Sequence, residues 1–173
     1  SEDAAVALTG AGYSPGYPWD TFVRPSVPPP EAKTALRVRE AVPGEAEDVG
    51  EVIRTAFGMP LPMTGWIGAL VGRPGWTVVV AEHEGRIVSA GAVATRGQVA
   101  WVGLGGTLRE HRGRGGQGAL FAARVHAAAA AGCASVATET GAAGPDGPGP
   151  SHRNITRAGF ALVRRRTNWT GTS

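Results

Sequence analysis

The sequence predicts a single α/β domain in which a mixed, mostly antiparallel sheet carries helices on both faces. Three observations support this fold class. Strand-length segments with alternating or β-branched residues recur along the chain, and longer segments have apolar residues at helical spacing. The two kinds of segment follow one another in the order β-α-α-β-β-β-α-β-α-β, as expected for a layered α/β domain. With 173 residues, 42% hydrophobic and 18% charged, the chain can bury one core.

Residues 1–33 differ in composition from the rest of the chain. They combine glycine, proline and aromatic residues and end in Pro28-Pro29-Pro30, so we expect an extended N-terminal arm rather than a helix. The aromatic side chains of this arm are expected to pack on the domain or on a neighbouring subunit; they are Tyr13, Tyr17, Trp19 and Phe22. The folded domain is then expected over residues 34–173.

The first half of the predicted domain is a strand, two helices and a strand meander. The helix at about 45–57 places Val49, Val52, Ile53 and Phe57 on one side. Glu84-Gly85 is typical of a turn between two antiparallel strands, and Arg96-Gly97-Gln98 predicts a second turn into the next strand. The predicted elements are a strand at 35–40, helices at 45–57 and 64–71, and strands at 76–81, 87–95 and 99–103.

The second half begins with a strongly helical segment. Its inner side carries Leu120, Phe121, Val125 and Ala128, and Gly132 is a natural stop. A short buried strand, a glycine- and proline-rich loop, a short helix and a final strand follow. The predicted elements are a helix at 117–131, a strand at 134–138, a loop at 141–150, a helix at 151–158 and a strand at 160–169.

Charge and cysteine usage exclude several classes of protein. The net charge of +3 suits an anionic partner such as a nucleotide cofactor, but it is too weak and dispersed to predict nucleic-acid binding. Cys133 is the single cysteine, which excludes an internal disulfide and a cysteine metal cluster, and we expect no metal site. No apolar run approaches the ~20 residues of a membrane span, and no signal peptide is evident, so a cytoplasmic protein is expected.

A glycine-rich loop before the long helix is the strongest chemical signal in the sequence. Glycines allow successive backbone N–H groups to converge, and the unpaired N–H groups at a helix start add partial positive charge. Such a loop can hold a pyrophosphate, with two arginines adding charge nearby. The loop reads Arg112-Gly113-Arg114-Gly115-Gly116-Gln117-Gly118.

Two other phosphate-binding motifs fit this loop less well. A P-loop would end in Gly-Lys-Ser or Gly-Lys-Thr, and this loop ends in Gly-Gln-Gly. The spacing Gly113-x-Gly115-x-x-Gly118 matches a dinucleotide fingerprint, with Glu139 about 20 residues further on. In that fold, however, the first glycine follows the strand directly, whereas here the polar residues 107–112 intervene. A dinucleotide-binding domain is therefore the weaker alternative.

The segment around the loop resembles the cofactor motif of the GNAT superfamily of N-acetyltransferases, Arg/Gln-x-x-Gly-x-Gly/Ala. Arg112 and Gly115 match that motif, and Gln117 stands where Gly or Ala is usual. A second segment, residues 151–160, resembles the Asn…Gly-Phe segment of the superfamily through Asn154, Gly159 and Phe160. The resemblance covers residues 34–169 and includes the order of the strands.

The resemblance implies a GNAT-like sheet that splays between its fourth and fifth strands, here 99–103 and 134–138, with acetyl-CoA or another acyl-CoA in the gap. Gly105, Gly106 and Thr107 would pair with the pantetheine arm like an added strand. The loop would hold the pyrophosphate, and Asn154 would bind the pantetheine or, alternatively, bond to its own helix backbone. The implied cofactor-binding residues of the loop are Arg112, Gly113, Arg114, Gly115, Gly116, Gln117 and Gly118.

The proton-transfer residues are less well defined by the sequence. Acyl transfer needs a neutral amine, a stabilised oxyanion and a proton donor for the thiolate. In the family a tyrosine after the fifth strand often serves as the acid, but the tyrosines of this chain are Tyr13 and Tyr17. Ser151, His152 and solvent remain as candidate acids. Glu139 is the preferred base, with Glu82, His83 and Glu110 as further candidates that also fit solvated positions.

These observations predict an N-acetyltransferase that moves an acyl group from acyl-CoA to an amine by direct attack in a ternary complex. A small-molecule amine is favoured over a protein N-terminus because no protein-docking motif is visible. The alternative is a non-catalytic acyl-CoA-binding or regulatory domain, which the missing tyrosine favours. Assembly as a homodimer is left open.

Overall fold

The computed structural model describes residues 2–171. Its α-helices are α1 (Glu2–Gly10), α2 (Ala46–Phe57), α3 (Met63–Gly68), α4 (Gly116–Ala130) and α5 (Pro150–Arg157). Its strands are β1 (Tyr13–Pro15), β2 (Trp19–Pro25), β3 (Arg37–Glu40), β4 (Trp76–His83), β5 (Arg86–Arg96), β6 (Val99–Thr107), β7 (Ser135–Gly141), β8 (Ala161–Arg166) and β9 (Trp169–Gly171). No α-helix in this part of the chain is both long and apolar enough to cross a membrane.

Seven strands form one mixed sheet in the order β3-β4-β5-β6-β7-β2-β8, and β1 pairs with β9 in a separate two-stranded sheet. Strands β4 to β6 form the predicted antiparallel meander, and β3 adds to it by pairing antiparallel with β4. Among the strands within residues 2–171, β6 and β7 are the one parallel pair, because α4 connects them and returns the chain to the same end of the sheet. The predicted mixed, mostly antiparallel sheet is confirmed.

Helices cover both faces of the sheet, as alternate residues of β4 demonstrate. Val78 and Val80 pack with α2 and α3 in a cluster that includes Val49, Ile53 and Ile67. Val79 and Ala81 point the other way and pack against Leu120 of α4. Under α4 and α5, a further cluster surrounds Phe22, Val125, Val136 and Phe160.

The predicted elements are present with several changes at their ends. Strand β6 continues to Thr107, four residues beyond the predicted end, so Gly105 and Gly106 belong to a strand rather than to the loop. The predicted final strand at 160–169 divides into β8 and β9. Phe57, expected on the apolar side of α2, is 51% exposed because it lies at the last residue of that helix.

The structure corrects the expectation of an extended N-terminal arm appended to a domain that begins near residue 34. Residues 2–10 are a helix, and β2 lies inside the main sheet between β7 and β8. Asp20, Phe22 and Arg24 alternate toward the buried face, and Phe22 is 1% exposed. The prolines that suggested an arm instead flank this strand. Pro18 precedes it, and Pro28-Pro29-Pro30 follow it.

The N-terminal and C-terminal segments have the same order of elements and a similar sequence. Residues 8–13 and 155–160 carry the same amino acid at three equivalent positions, and each stretch lies at a helix end that leads into a strand. The matching residues are Thr9 and Thr156, Ala11 and Ala158, and Gly12 and Gly159. The hydroxyl groups of Thr9 and Thr156 each donate to the carbonyl four residues earlier. Gly12 and Gly159 both have a positive φ, 83° and 80°. The first strand of each unit pairs with the second strand of the other, β1 with β9 and β8 with β2.

Substituting Phe22 tests whether the N-terminal strand is part of the core. Phe22→Ala should lower the free energy of unfolding by about 3–5 kcal/mol, as for other buried phenylalanines. Tyr13→Ala is the control, since Tyr13 is 42% exposed in the separate two-stranded sheet. Chemical denaturation of both variants measures the difference, and an unchanged midpoint for Phe22→Ala would show that β2 is dispensable.

Candidate functional site

A gap opens in the sheet where β6 and β7 part. The two strands pair only from Val99 to Trp101 on β6 and from Ser135 to Ala137 on β7. One residue further, the Thr138 hydroxyl donates to the Val102 carbonyl at 2.8 Å. Beyond that bond, β6 continues to Thr107 and β7 to Gly141 without pairing to each other. The predicted splay is therefore present, and the backbone of β6 borders a wedge-shaped cleft.

An irregularity in β6 lies beside this cleft. Leu104 adopts a positive φ of 53°, which is uncommon for a side chain other than glycine or asparagine. At the same place the register between β5 and β6 shifts, between Ala90 and Ala92. Such a bulge turns backbone groups out of the regular ladder. Consequently N–H and carbonyl groups near Leu104 can face a ligand in the cleft.

The glycine loop follows the end of β6, at the unpaired end of the cleft. Gly113 and Gly115 both adopt left-handed backbone conformations, with φ of 80° and 79°, and α4 begins directly afterwards. A Cβ on Gly113 would meet nothing within 4 Å, whereas one on Gly115 would collide with the Lys33 carbonyl. The loop therefore has an open side at Gly113 and a packed side against the segment before β3.

The side chains of Arg112 and Arg114 are held at the rim of this loop. Arg112 Nε donates to the Thr107 carbonyl at 3.3 Å, and Arg114 Nη1 lies 2.7 Å from His83 Nε2. Because a guanidinium can only donate, a hydrogen bond at this contact requires Nε2 of His83 to be the acceptor. Both arginines are exposed, so their charge is available to an anion at the loop.

Polar groups form the floor of the cleft behind β6. The Ser89 and Thr107 hydroxyls are 2.7 Å apart, and Ser89 also donates to the Gly106 carbonyl. Gln117 Nε2 donates to the Thr107 hydroxyl at 3.0 Å. Gln117 therefore reaches the end of β6 and does not line the outside of the loop. Gln117 stands where the family usually has a small residue, so its longer side chain borders the cleft at the end of β6.

The opposite wall consists of the end of β7, the loop before α5 and the first turn of α5. A cavity of about 330 Å³ opens here, and Tyr17 from the N-terminal segment closes one side of it. The Tyr17 hydroxyl donates to the Ala142 carbonyl at 3.2 Å. Its lining residues are Tyr17, Thr140, Gly141, Ala142, Gly144, Gly147, Gly149, Pro150, Ser151 and His152.

A buried aspartate from β2 underlies this cavity. Asp20 is fully buried and accepts two hydrogen bonds from Arg165, at 2.7 and 2.9 Å. His152 Nε2 lies 3.8 Å from Asp20 Oδ2, and the His152 ring meets Phe22 edge-on. The hydrogen bonds from Arg165 lower the pKa of Asp20, against the effect of burial, so the carboxylate stays charged at neutral pH. This charge lies directly beside the His152 ring.

Glu139, the preferred base, lies on the other face of β7. Its carboxylate accepts a hydrogen bond from Thr21 at 2.9 Å and forms an ion pair with Arg166 at 3.0 Å. Successive residues of a strand point to opposite faces, so Glu139 is separated by the sheet from Ser151 and His152. Glu110 is exposed on the turn before the glycine loop, and Glu82 forms ion pairs with Arg37 and Arg39.

Asn154 lies on α5 between His152 and Ile155. Its side-chain oxygen accepts a hydrogen bond of 3.4 Å from Arg157, one turn further along the helix. This is a bond between two side chains of the helix and not the bond to the helix backbone that one sequence-based alternative expected. The other polar residues of the α5 start, Ser151 and His152, line the cavity instead.

Sequence patterns missed three residues that the fold brings to the cleft: Asp20, Tyr17 and Arg124. Asp20 and Tyr17 belong to the segment that was expected to be an arm. Arg124 lies on α4 and is 1% exposed. A signal for Arg124 was present, because it follows Leu120 by four residues and so falls on the apolar side of the predicted helix.

Comparisons with known proteins show which fold this chain shares. No family model matches the sequence, and no curated protein matches it. Solved structures do match. The GCN5-related N-acetyltransferase from Sphaerobacter thermophilus superposes with a TM-score of 0.77 at 24% identity, over 96% of this chain and 55% of that one. The GCN5-related N-acetyltransferase from Kribbella flavida gives 0.71 at 21% identity, over 95% of this chain and 62% of that one.

A third match is a tandem GNAT protein from the clavulanic acid biosynthesis pathway. It has a TM-score of 0.70 and 17% identity, over 98% of this chain and 58% of that one. The chain thus spans between half and two thirds of the length of these three structures. It has the fold of the GNAT N-acetyltransferases, and the fold that the glycine-loop motif implied is confirmed.

The charge of Asp20 predicts a pH-dependent stability. Because its pKa is lowered in the folded state, the unfolded chain takes up a proton first as the pH falls below the ordinary value of 3.8. The stabilisation is therefore present at neutral pH and is lost in acid. Asp20→Asn should lower the Tm at pH 7, and the difference from the unsubstituted protein should shrink as the pH falls.

Asp146→Asn is a matched control for this measurement, since Asp146 is exposed in the loop before α5. Thermal unfolding followed by circular dichroism across the pH range compares the three proteins. A constant difference between Asp20→Asn and the unsubstituted protein at all pH values would contradict the assignment.

Proposed function

We propose that the protein transfers an acetyl or related acyl group from acyl-CoA to an amine. The observation that carries this proposal is the cleft between β6 and β7, which begins beyond Trp101 and Ala137 and ends at the glycine loop. The fold shared with named N-acetyltransferases supports it. The cleft supplies an unpaired strand edge and an anion site at one end, the two features that an extended pantetheine diphosphate requires.

The residues at the open end of the cleft suit a diphosphate. The left-handed glycines and the first amides of α4, which have no partners within the helix, present N–H groups together. The helix dipole adds positive charge at the same place. Arg112 and Arg114 lie at the rim, and Gly113 leaves space that a side chain would fill. These residues would hold the diphosphate of acyl-CoA.

The unpaired part of β6 suits the pantetheine arm. Its amide groups can bond to Gly105, Gly106 and Thr107 in the manner of an added strand. Leu104 interrupts the ladder next to these residues, and a backbone N–H there can donate to the acyl carbonyl oxygen. Bound acyl-CoA supplies an activated thioester, so no covalent bond between the acyl group and the enzyme is needed. The chain contributes alignment of the two substrates and exclusion of water.

His152 is the proton-transfer residue that the geometry favours. It lines the cavity beside β7, and Asp20 lies 3.8 Å behind its Nε2. Glu139 is less suited, because Thr21 and Arg166 already occupy its oxygens on the opposite face. Ser151 and Tyr17 line the same cavity and offer hydroxyl groups. We assign His152 to the exchange of the amine proton, with Asp20 as the residue that positions it.

The acceptor is proposed to be a small-molecule amine. The space available to it is the cavity of about 330 Å³ that His152 lines. Glycines and the hydroxyl groups of Tyr17, Thr140 and Ser151 make up much of its lining. A cavity of this size suits a small ligand, and it lies on the same face of the sheet as the residue assigned to take the amine proton.

An acyl-transfer assay with paired glycine variants tests the proposal. The unsubstituted protein should release thiol from acetyl-CoA in the presence of at least one member of a panel of small amines. Gly113→Asp places a side chain and a negative charge in the diphosphate cradle, so acetyl-CoA affinity should fall tenfold or more, about 1.4 kcal/mol. Calorimetric titration measures the affinity.

Gly97→Asp is the matched control for this variant. Gly97 also has a positive φ and open space around it, but it lies in the β5–β6 turn at the far end of the strand. Its acetyl-CoA affinity should equal that of the unsubstituted protein. Binding without thiol release for any amine would instead identify an acyl-CoA-binding domain, and equal losses in both variants would contradict the proposed cradle.

A further inference from the structure

A buried cation, the guanidinium of Arg124, lies beneath the cleft and has no role in the acyl transfer described above. The Arg124 side chain extends from α4 toward the sheet and is 1% exposed. Its Nε donates to the Leu120 carbonyl at 2.9 Å, and its Nη1 donates to the Gly103 carbonyl at 3.0 Å. Its guanidinium carbon also lies 4.7 Å from the centre of the Phe121 ring.

Two features of Arg124 are unusual for a purely structural arginine. Its Nη2 is buried and has no hydrogen-bond partner, and within residues 2–171 no carboxylate forms an ion pair with it. Burial lowers the pKa of Arg124 to about 10, so the guanidinium remains charged at neutral pH. A buried, unpaired charge costs stability, and a leucine or methionine would fill this space without that cost.

Glycines locate the unpaired end of Arg124. A Cβ added to Gly105 would lie 3.1 Å from Nη2 and 3.2 Å from Gln117 Oε1. A Cβ added to Gly91 of β5 would lie 2.9 Å from Nη1. The free edge of the guanidinium therefore lies beside Gly105, on the stretch of β6 that has already left β7. That stretch, with Leu104 and its bulge, borders the part of the cleft proposed for the acyl group.

We propose that Arg124 forms a subsite for the thiolate sulfur of CoA as it leaves the acyl group. This inference rests on the proposed acyl transfer. In that step the amine nitrogen forms a bond to the acyl carbon, the carbon–sulfur bond breaks, and its electron pair stays on sulfur. The amine proton passes to His152. The permanent charge of Arg124 stabilises the sulfur anion without transferring a proton to it.

A fixed cation accounts for the missing hydroxyl acid. The chain has no tyrosine in or after β7, and the Tyr17 hydroxyl donates to the Ala142 carbonyl. In a cleft with little water, an opposite charge within a few ångströms strongly favours the ionised form of a thiol. The groups packed around Arg124 do not titrate: they are Gly91, Gly103, Gly105, Gln117 and Phe121. Within residues 2–171, the charged or titratable groups along the cleft walls are Arg112 and Arg114 at the rim and His152 with Asp20 beneath it.

The thiol pKa of bound CoA tests the subsite directly. In complex with the unsubstituted protein, this pKa should lie about 1–3 units below that of free CoA measured alongside. Arg124→Met should remove the shift, and Arg124→Lys should keep part of it. The ultraviolet absorbance of the thiolate follows the titration, and the complex with desulfo-CoA supplies the baseline, including any contribution of Cys133. His152→Gln should keep the shift, which excludes titration of His152 as its source.

Desulfo-CoA also separates this role from a structural one. It lacks the sulfur, so its affinity should be equal for the unsubstituted protein, Arg124→Lys and Arg124→Met. A parallel loss of CoA and desulfo-CoA affinity in Arg124→Met would assign Arg124 to packing alone and overturn the subsite. If Arg124→Met does not fold by circular dichroism, Arg124→Lys decides, and an unshifted thiol pKa in the unsubstituted protein overturns the inference in any case.

The two proposals fail in different ways. Binding of CoA and desulfo-CoA with an unshifted thiol pKa leaves the acyl-CoA cleft intact and removes only the thiolate subsite. If the folded, unsubstituted protein binds neither compound, the proposed function fails and the subsite fails with it.

Discussion

The parting of β6 and β7 is the constraint on which the rest of the structure depends. These are the one parallel pair in the main sheet, so the chain must cross over between them, and it does so through α4. The crossover begins at the end of β6, which places the glycine loop and the N-terminus of α4 at the open end of the gap. The bulge at Leu104 then turns the free edge of β6 toward the space that the gap leaves.

A strand that leaves its neighbour needs another partner, and the N-terminal segment provides it for β7. All seven residues of β7 pair with β2, including the four that have lost β6. The segment that holds this wall also brings Asp20 beneath His152 and Tyr17 to the cavity. The same residues therefore complete the sheet and complete the site, which is why the N-terminal segment cannot be regarded as an accessory.

Sequence patterns predicted the elements that have a clear period or a clear motif. The helix at α4, the meander from β4 to β6 and the glycine loop were all found, because apolar spacing and glycine punctuation are local signals. Strand β2 was missed because prolines on both sides of it suggest an extended linker, and its pairing depends on residues more than a hundred positions away. The end of β6 was placed too early, since Gly105 and Gly106 resemble a loop in sequence but belong to the strand, where Gly106 pairs with Ala90 of β5.

The residues of the candidate site were harder to predict from the sequence than the elements of the fold. The motif located the glycine loop that is proposed as the diphosphate cradle, but it gave no information on which side chains face the cleft. Glu139 was a reasonable base from its place at a strand end, yet alternation puts it on the face opposite to His152, beside Arg166. Asp20, Arg165 and His152 come from three different elements, and only the folded sheet brings them together.

Hydrogen–deuterium exchange with and without acetyl-CoA tests the central claim most directly. If the cofactor lies along the free edge of β6, amides at 103–107 and 113–118 should exchange more slowly in its presence, while those of β3 and α2 should not change. Protection of the β3 edge or of α2 alone, with no change at 103–107 and 113–118, would contradict a binding cleft between β6 and β7.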